Sequence, residues 1–332
     1  MPIGLEATAA RRRRNPLDGL DPDPSVPADR IVSLVPAASE ILFAIGAGGK
    51  VQAVSHACDH PPEAAQRPAA SRTRLDAEGS SRAIDEDVRE AVDEGEATFE
   101  VLGEVLHHAQ PDLVVTQEAC DVCGITPVDV RAKLARFEPG EGPELMGLHP
   151  HTLADVLDQI RQLGEATGTA EAAQRLVGAL EQRIEAVEAF ASDRERPTVA
   201  VLDWIDPPMA AGHWIPGMVE AAGGDPVLLD DASPSTYVEW DDVEAADPDV
   251  LLSIPCGFDA RRALAEAEAV VEPDDRLPGL PRERVVALDA GAYTSRPGPR
   301  LVDGLEQIAC ALHGPAARQR WPEQATRVQR LG

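Results

Sequence analysis

The residues with the most reactive side chains fall in a few short stretches. Five cysteines stand at Cys58, Cys120, Cys123, Cys256 and Cys310. Cys120 and Cys123 form a Cys-x-x-Cys pair that can chelate one soft metal through two thiolates. Cys58 and Cys256 would complete a four-thiolate site for zinc or an iron-sulfur cluster. Other uses of the same residues stay open: a redox-active dithiol, direct contact with a ligand, or small side chains filling tight loops. Cys310, inside Ile308-Ala309-Cys310-Ala311-Leu312, reads as core. His56 and His213 carry imidazoles of the kind that serve as metal ligands. Arg296 and Arg300 precede a helix start near Leu301, where guanidinium groups and free helix N–H groups suit a phosphate or carboxylate. The alternative is that they pair with Asp289 or Asp303.

Several chemistries are excluded. No Gly-x-Ser-x-Gly elbow supports a serine nucleophile, and Gly46-Ala47-Gly48-Gly49 follows a helix, not the strand that a phosphate loop requires. The formal net charge is -28, and Lys50 and Lys133 are the only lysines. A chain without a basic face lacks the counterion release that drives nucleic-acid binding, whereas a carboxylate-rich surface stays hydrated in high salt. No apolar run of about 18 residues exists to span a membrane as a helix. Arg11 to Arg14 are followed by Asn15-Pro16-Leu17-Asp18 where an export signal would turn apolar. The odd, scattered cysteines do not form a secreted disulfide framework. The expectation is therefore a cytoplasmic protein, extracytoplasmic only if the true start lies upstream.

In alternating α/β sheets the loops after strands present such residues. From Arg30 the chain alternates short β-branched runs with amphipathic stretches, the pattern of a parallel sheet flanked by helices. Ile31-Val32-Ser33-Leu34 reads as a strand, and residues 40–45 read as a helix closed by Gly46. Residues 51–54 and 112–116 read as further strands, separated by an acidic insertion, 76–100, that reads as a solvated excursion. Residues 153–191 read as helical with a break at 164–168. Leu176, Leu180, Ile184 and Val187 form one stripe there, and about 23 residues make a rod of roughly 35 Å, enough to join two domains. Alternation restarts at 198–202 and continues at 250–253 and 285–288. Ala109-Gln110-Pro111-Asp112-Leu113-Val114-Val115 and Ala246-Asp247-Pro248-Asp249-Val250-Leu251-Leu252 repeat one device: a helix end, a Pro-Asp turn and a buried strand. The expected division is a disordered tail 1–29, a lobe 30–165, a connecting helix 169–192, a lobe 197–313 and a second tail 314–332.

Ser33-Leu34-Val35-Pro36-Ala37-Ala38-Ser39-Glu40-Ile41-Leu42-Phe43-Ala44-Ile45-Gly46, Cys58-Asp59-His60-Pro61-Pro62, Gln110-Pro111-Asp112-Leu113, Asp206-Pro207-Pro208 and Gly223-Gly224-Asp225 carry a resemblance. Together they resemble the class III solute-binding proteins of ABC transporters, the cobalamin-binding branch in particular, over roughly residues 30–313. The resemblance implies an α/β fold of two Rossmann-like lobes with mostly parallel sheets, joined by a single long α-helix. It implies reversible binding of a corrinoid or iron chelate in the interlobe cleft, with no catalysis and no required cofactor. Corrinoid, zinc and an iron-sulfur cluster remain the groups the cleft can carry. The lining candidates are Ser33, Pro36, His56, Cys58, Gln117, Trp204, His213, Trp214, Phe258, Tyr293 and Arg296, with His56 and His213 also read as axial-type ligands to a corrinoid cobalt or as exposed loop histidines. An ABC permease would dock on Glu104 and Asp241, each seven residues before the proline of a Pro-Asp turn. The expected state is a monomer. The rival reading is a cytoplasmic metal- or cluster-binding protein or enzyme built on Cys58, Cys120, Cys123 and Cys256.

Overall fold

The computed structural model describes residues 27–94, 96–117, 125, 127–134, 142–271 and 280–331. Most of the expected N-terminal tail lies outside them. The first lobe runs through β1 (Ile31–Ser33), α1 (Pro36–Ala44), β2 (Val51–Val54), β3 (Ser71–Thr73), α2 (Ser81–Asp93), β4 (Phe99–Val101), α3 (Gly103–Ala109), β5 (Leu113–Gln117), α4 (Pro127–Leu134) and β6 (Glu144–Leu148). Its sheet has the order β2-β1-β5-β6, parallel throughout. Ile31, Val32, Leu113, Val114 and Val115 are almost wholly buried, because helices cover both faces of a parallel sheet and its strands need no polar side. Pro36 opens α1, where its fixed φ and missing N–H cost nothing.

Two helices follow, α5 (Leu153–Ala166) and α6 (Ala170–Ala191). Thr152 caps α5, and Asp155 reaches back to the Thr152 backbone in a reciprocal capping box. The turn between them is tight because Gly164 carries no Cβ: a methyl there would stand 2.4 Å from Ala173 Cβ. Ala173, Val177 and Leu180 on α6 pack into the core of the first lobe, while Val187 packs into the core of the second. With 22 residues, α6 is a rod of about 33 Å shared by both cores. Arg183 on this rod donates to Asp303 at 2.6 Å and to Glu306 at 2.8 and 3.0 Å, clamping it to the second lobe.

The second lobe comprises β7 (Thr198–Trp204), β8 (Met209–Ala210), α7 (Ile215–Ala221), β9 (Asp225–Pro226), β10 (Thr236–Tyr237), α8 (Trp240–Ala245), β11 (Val250–Ser253), α9 (Ala260–Val271), β12 (Val285–Ala287), α10 (Ala290–Tyr293), α11 (Leu301–Arg320, broken at Gly314), α12 (Pro322–Ala325) and β13 (Gln329–Arg330). Its sheet has the order β10-β8-β7-β11-β12-β13, parallel at the centre and antiparallel at both edges. The repeated Pro-Asp device has one mechanism in both lobes. Gln110 and Asp247 end α3 and α8 in left-handed conformations, with φ of 45° and 44°. Asp112 then accepts from the Arg30 N–H at 3.0 Å, and Asp249 from the Thr198 N–H at 2.9 Å, pinning the start of each lobe's first strand.

Two expectations are corrected. The segment 314–332 is no tail: β13 pairs with β12, and Leu331 is buried. The insertion 76–100 is not a solvated excursion; β3 and β4 form an antiparallel hairpin and α2 lies against the second lobe. Ile84, Val88, Ala91 and Val92 recur there at helical spacing and Ile84 packs against the Phe258 cluster, but the acids between them give the segment the look of a solvated one. Among the described residues no helix is long and apolar enough to cross a membrane.

Candidate functional site

The loops after the parallel strands of each lobe meet across the junction. Glu40, in α1 just beyond β1, is 3% exposed. It accepts from Arg300 at 2.5 and 2.9 Å and from Arg296 at 3.3 Å. Arg296 also grips Asp59 through both carboxylate oxygens and donates to the Ala57 carbonyl at 3.2 Å. Burial alone would raise the Asp59 carboxyl, but its bonds to Arg296 and that residue's charge outweigh burial and hold it below the usual carboxylate range. Gln159 of α5 donates to the Pro297 carbonyl beside this network. The expected anion site on Arg296 and Arg300 is therefore corrected. Both guanidinium groups are taken by acids of the opposite lobe, up to 260 residues away in sequence, and not by Asp289 or Asp303.

On another side of the junction α2 forms a strap. Ser80 caps it by accepting from the Ala83 N–H. The Ser81 hydroxyl donates to Glu266 at 2.6 Å, and the Ser81 carbonyl accepts from the Trp204 indole at 3.1 Å. Arg82 makes a two-pronged pair with Asp206 at 2.7 and 3.0 Å. Asp85 accepts from the Tyr237 hydroxyl at 2.5 Å, and Arg262 donates to the Ala77 and Gly79 carbonyls at 2.8 and 2.5 Å. The strap thus covers Trp204, whose ring packs edge-on against Phe258 with centroids 5.4 Å apart.

The other candidates divide by depth. Ser33 is wholly buried, its hydroxyl donating to the Val35 carbonyl and accepting from Ser39. Cys58 is 5% exposed with its sulfur 3.1 Å from the Ser39 hydroxyl, and burial raises its thiol. Trp214 is buried and donates to the Thr294 carbonyl at 2.8 Å; Phe258 is buried beneath Arg262. These four are buried in the walls, and Phe258 packs in one cluster with Ile84 of the strap. Pro36, Gln117, Trp204 and Tyr293 are partly exposed, with the Tyr293 ring under Arg327, and His56 hydrogen-bonds Ser71 at 2.9 Å. Cys256 is exposed after β11. Cys120 and Cys123 lie outside the described residues. Among the described residues, no three His, Cys, Asp or Glu groups are disposed to hold a metal ion by themselves.

One group escaped the sequence reading. His149 and His151 follow β6, and their Nε2 atoms face each other at 2.8 Å. His151 in turn stacks on His213 of the second lobe with ring centroids 5.7 Å apart. The available signal was the His149-Pro150-His151 triplet directly after a strand. That strand, Glu144-Leu145-Met146-Gly147-Leu148, was missed because it follows an acidic, glycine-rich stretch and itself contains Glu and Gly, which strands disfavour.

A two-lobed binding scaffold with a bridging helix is what the chain's relatives share. The family model described as periplasmic binding protein matches residues 31–268. The chain belongs to that family. Among relatives, the vitamin B12-binding protein of Vibrio cholerae is 25% identical over 296 residues, covering 86% of this chain and 90% of that protein. The cobalamin-binding protein of Halobacterium salinarum is 24% identical over 302 residues, covering 89% of this chain and 71% of that one. The crystal structure of the periplasmic vitamin B12 binding protein of Vibrio cholerae superposes with a TM-score of 0.60 at 24% identity, covering 88% of this chain and 99% of that chain. Members of the periplasmic binding protein family bind and release a solute and are not enzymes. The family also overturns the cytoplasmic placement expected above, since its members work outside the cytoplasm. That expectation leaned on the reading of residues 11–18 as no export signal and on cysteines taken to need a reducing compartment. Cys58 and Cys310, at 5% and 0% exposure, are shielded from oxidants and carry no such information.

Proposed function

We propose that this periplasmic binding protein family member holds a corrinoid of the cobalamin type at the junction of its two lobes and hands it to an ABC permease. The observation that carries the reading is that a bacterial and a haloarchaeal relative, both named for this ligand, each match more than four-fifths of the chain. Gln117, Trp204 and Tyr293, partly exposed at the junction, would contact the ligand. Few aromatic side chains are present, so hydrogen bonds to the peripheral amides of the corrin must supply much of the grip. Glu104 and Asp241 lie exposed in the first turns of α3 and α8, the equivalent helices of the two lobes, and would dock on cationic residues of the permease. Closure would be a modest rotation, because α6 is embedded in both cores.

Titration of the purified protein with cyanocobalamin, followed calorimetrically, tests this. Saturable binding of one corrinoid per chain is the expected result. Absence of binding up to millimolar ligand rejects the corrinoid assignment.

A further inference from the structure

The histidine group at the lobe junction does something that a purely hydrogen-bonding cleft would not need. His149 is exposed, immediately after the carboxyl end of β6, and His151 stands between it and His213. Only one of two Nε2 atoms facing each other at 2.8 Å can carry the shared hydrogen, so the other holds a lone pair at that point. Both flanking residues are fixed by their backbones. The His151 N–H donates to Asp155 at 3.0 Å; His213, at φ 54°, donates to the Ser233 carbonyl at 2.6 Å and accepts from Ala232 at 3.0 Å. His213 Nδ1 is buried without a hydrogen-bond partner. Burial, then the neighbouring His151 and His149, keep His213 below its ordinary value and thus neutral at pH 7.

These imidazoles are not arranged to chelate a bare ion. A metal that arrives with its equatorial positions already filled asks only for one lone pair along its axis. We propose that the junction selects metal chelates with an exchangeable axial position, and that His149, propped by His151 and His213, supplies the imidazole that fills it. The step is a ligand substitution: an Nε2 lone pair forms the bond to the metal, and the resident water leaves with its own electron pair. No electron is transferred. The imidazole that loses its partner keeps an N–H for an amide or carboxylate at the rim of the chelate. This inference rests on the proposed function and narrows it to chelates with one labile position.

The test compares aquocobalamin, whose axial water exchanges, with cyanocobalamin, whose cyanide does not. Wild-type protein should shift the visible bands of aquocobalamin and bind it at least about tenfold more tightly than cyanocobalamin. The H149A/H151A double variant should lose the band shift, and the ratio of the two affinities should fall to about one. If that variant does not fold, His149→Gln at the exposed position gives the same readings. Equal affinities with no band shift in the wild type overturn the inference while leaving corrinoid binding intact. So does a band shift that survives in the variants. If neither corrinoid binds, the corrinoid assignment falls and ferric haem decides the inference. A six-coordinate, low-spin spectrum lost in the variants sustains it, and its absence in the wild type overturns it.

Discussion

Glu40→Gln should weaken the molecule at the junction of its lobes. Glu40 is 3% exposed and accepts two hydrogen bonds from Arg300 and one from Arg296, whose side chains are 17% and 14% exposed. Removing one member of a buried ion pair costs about 3–5 kcal/mol, because the partner charge stays behind unpaired. Two features reduce that figure here. Asp59 still neutralises Arg296, and the residual exposure of Arg300 lets water reach its guanidinium. The expected loss is about 2–3 kcal/mol, which for a chain of 332 residues lowers the melting temperature by about 3–4 °C. Differential scanning calorimetry at pH 7 reads it directly. A cycle with Arg300→Ala should recover a coupling of about 1–2 kcal/mol between the two positions. A melting temperature within about 1 °C of wild type would refute the reasoning, because the pair would then be contributing no more than a surface contact.

The strap behaves differently. Arg82 is 64% exposed in its pair with Asp206, so Arg82→Ala should change global stability by less than about 1 kcal/mol. It should nonetheless speed hydrogen exchange across α2; slow exchange in α2 of the variant would show that the pair does not hold the strap. Gly164→Ala should destabilise by about 1–3 kcal/mol despite alanine's better helix propensity, since its methyl collides with Ala173; a raised melting temperature would contradict this. Burial holds His213 and His313 below their ordinary value. As pH falls through about 6.5 the unfolded chain takes up protons that the folded one refuses, so stability should decline below that pH. Asp59, held low by Arg296, adds a further loss below about pH 4. Urea unfolding free energies that stay flat from pH 7.5 to 5.5 would count against the histidine contribution.

Local pattern made much of the fold legible. The β-branched runs that become β1, β5, β7, β11 and β12 and the twin Pro-Asp turns are short-range facts. Each depends on residues within a few positions of one another. The strand β6 was hidden because its Glu and Gly depart from strand preferences, and with it went the place of His149 and His151. The strap escaped because acids separate its few apolar positions, of which Ile84 packs against the Phe258 cluster, while Ser81, Arg82 and Asp85 dock through polar bonds that a solvated face would also permit.

The sequence by itself determined the two α/β lobes and the helix between them, because periodicity and turn chemistry act locally, and its motifs carried the resemblance to a binding family. Only the tertiary structure decided which charges meet. Arg296 and Arg300 were read either as a site for an anionic ligand or as partners of a nearby acid such as Asp289 or Asp303, yet their anions are Glu40 and Asp59 on the other lobe. Pairing across such separations is set by the docking of two cores on one shared helix. No local spacing encodes it.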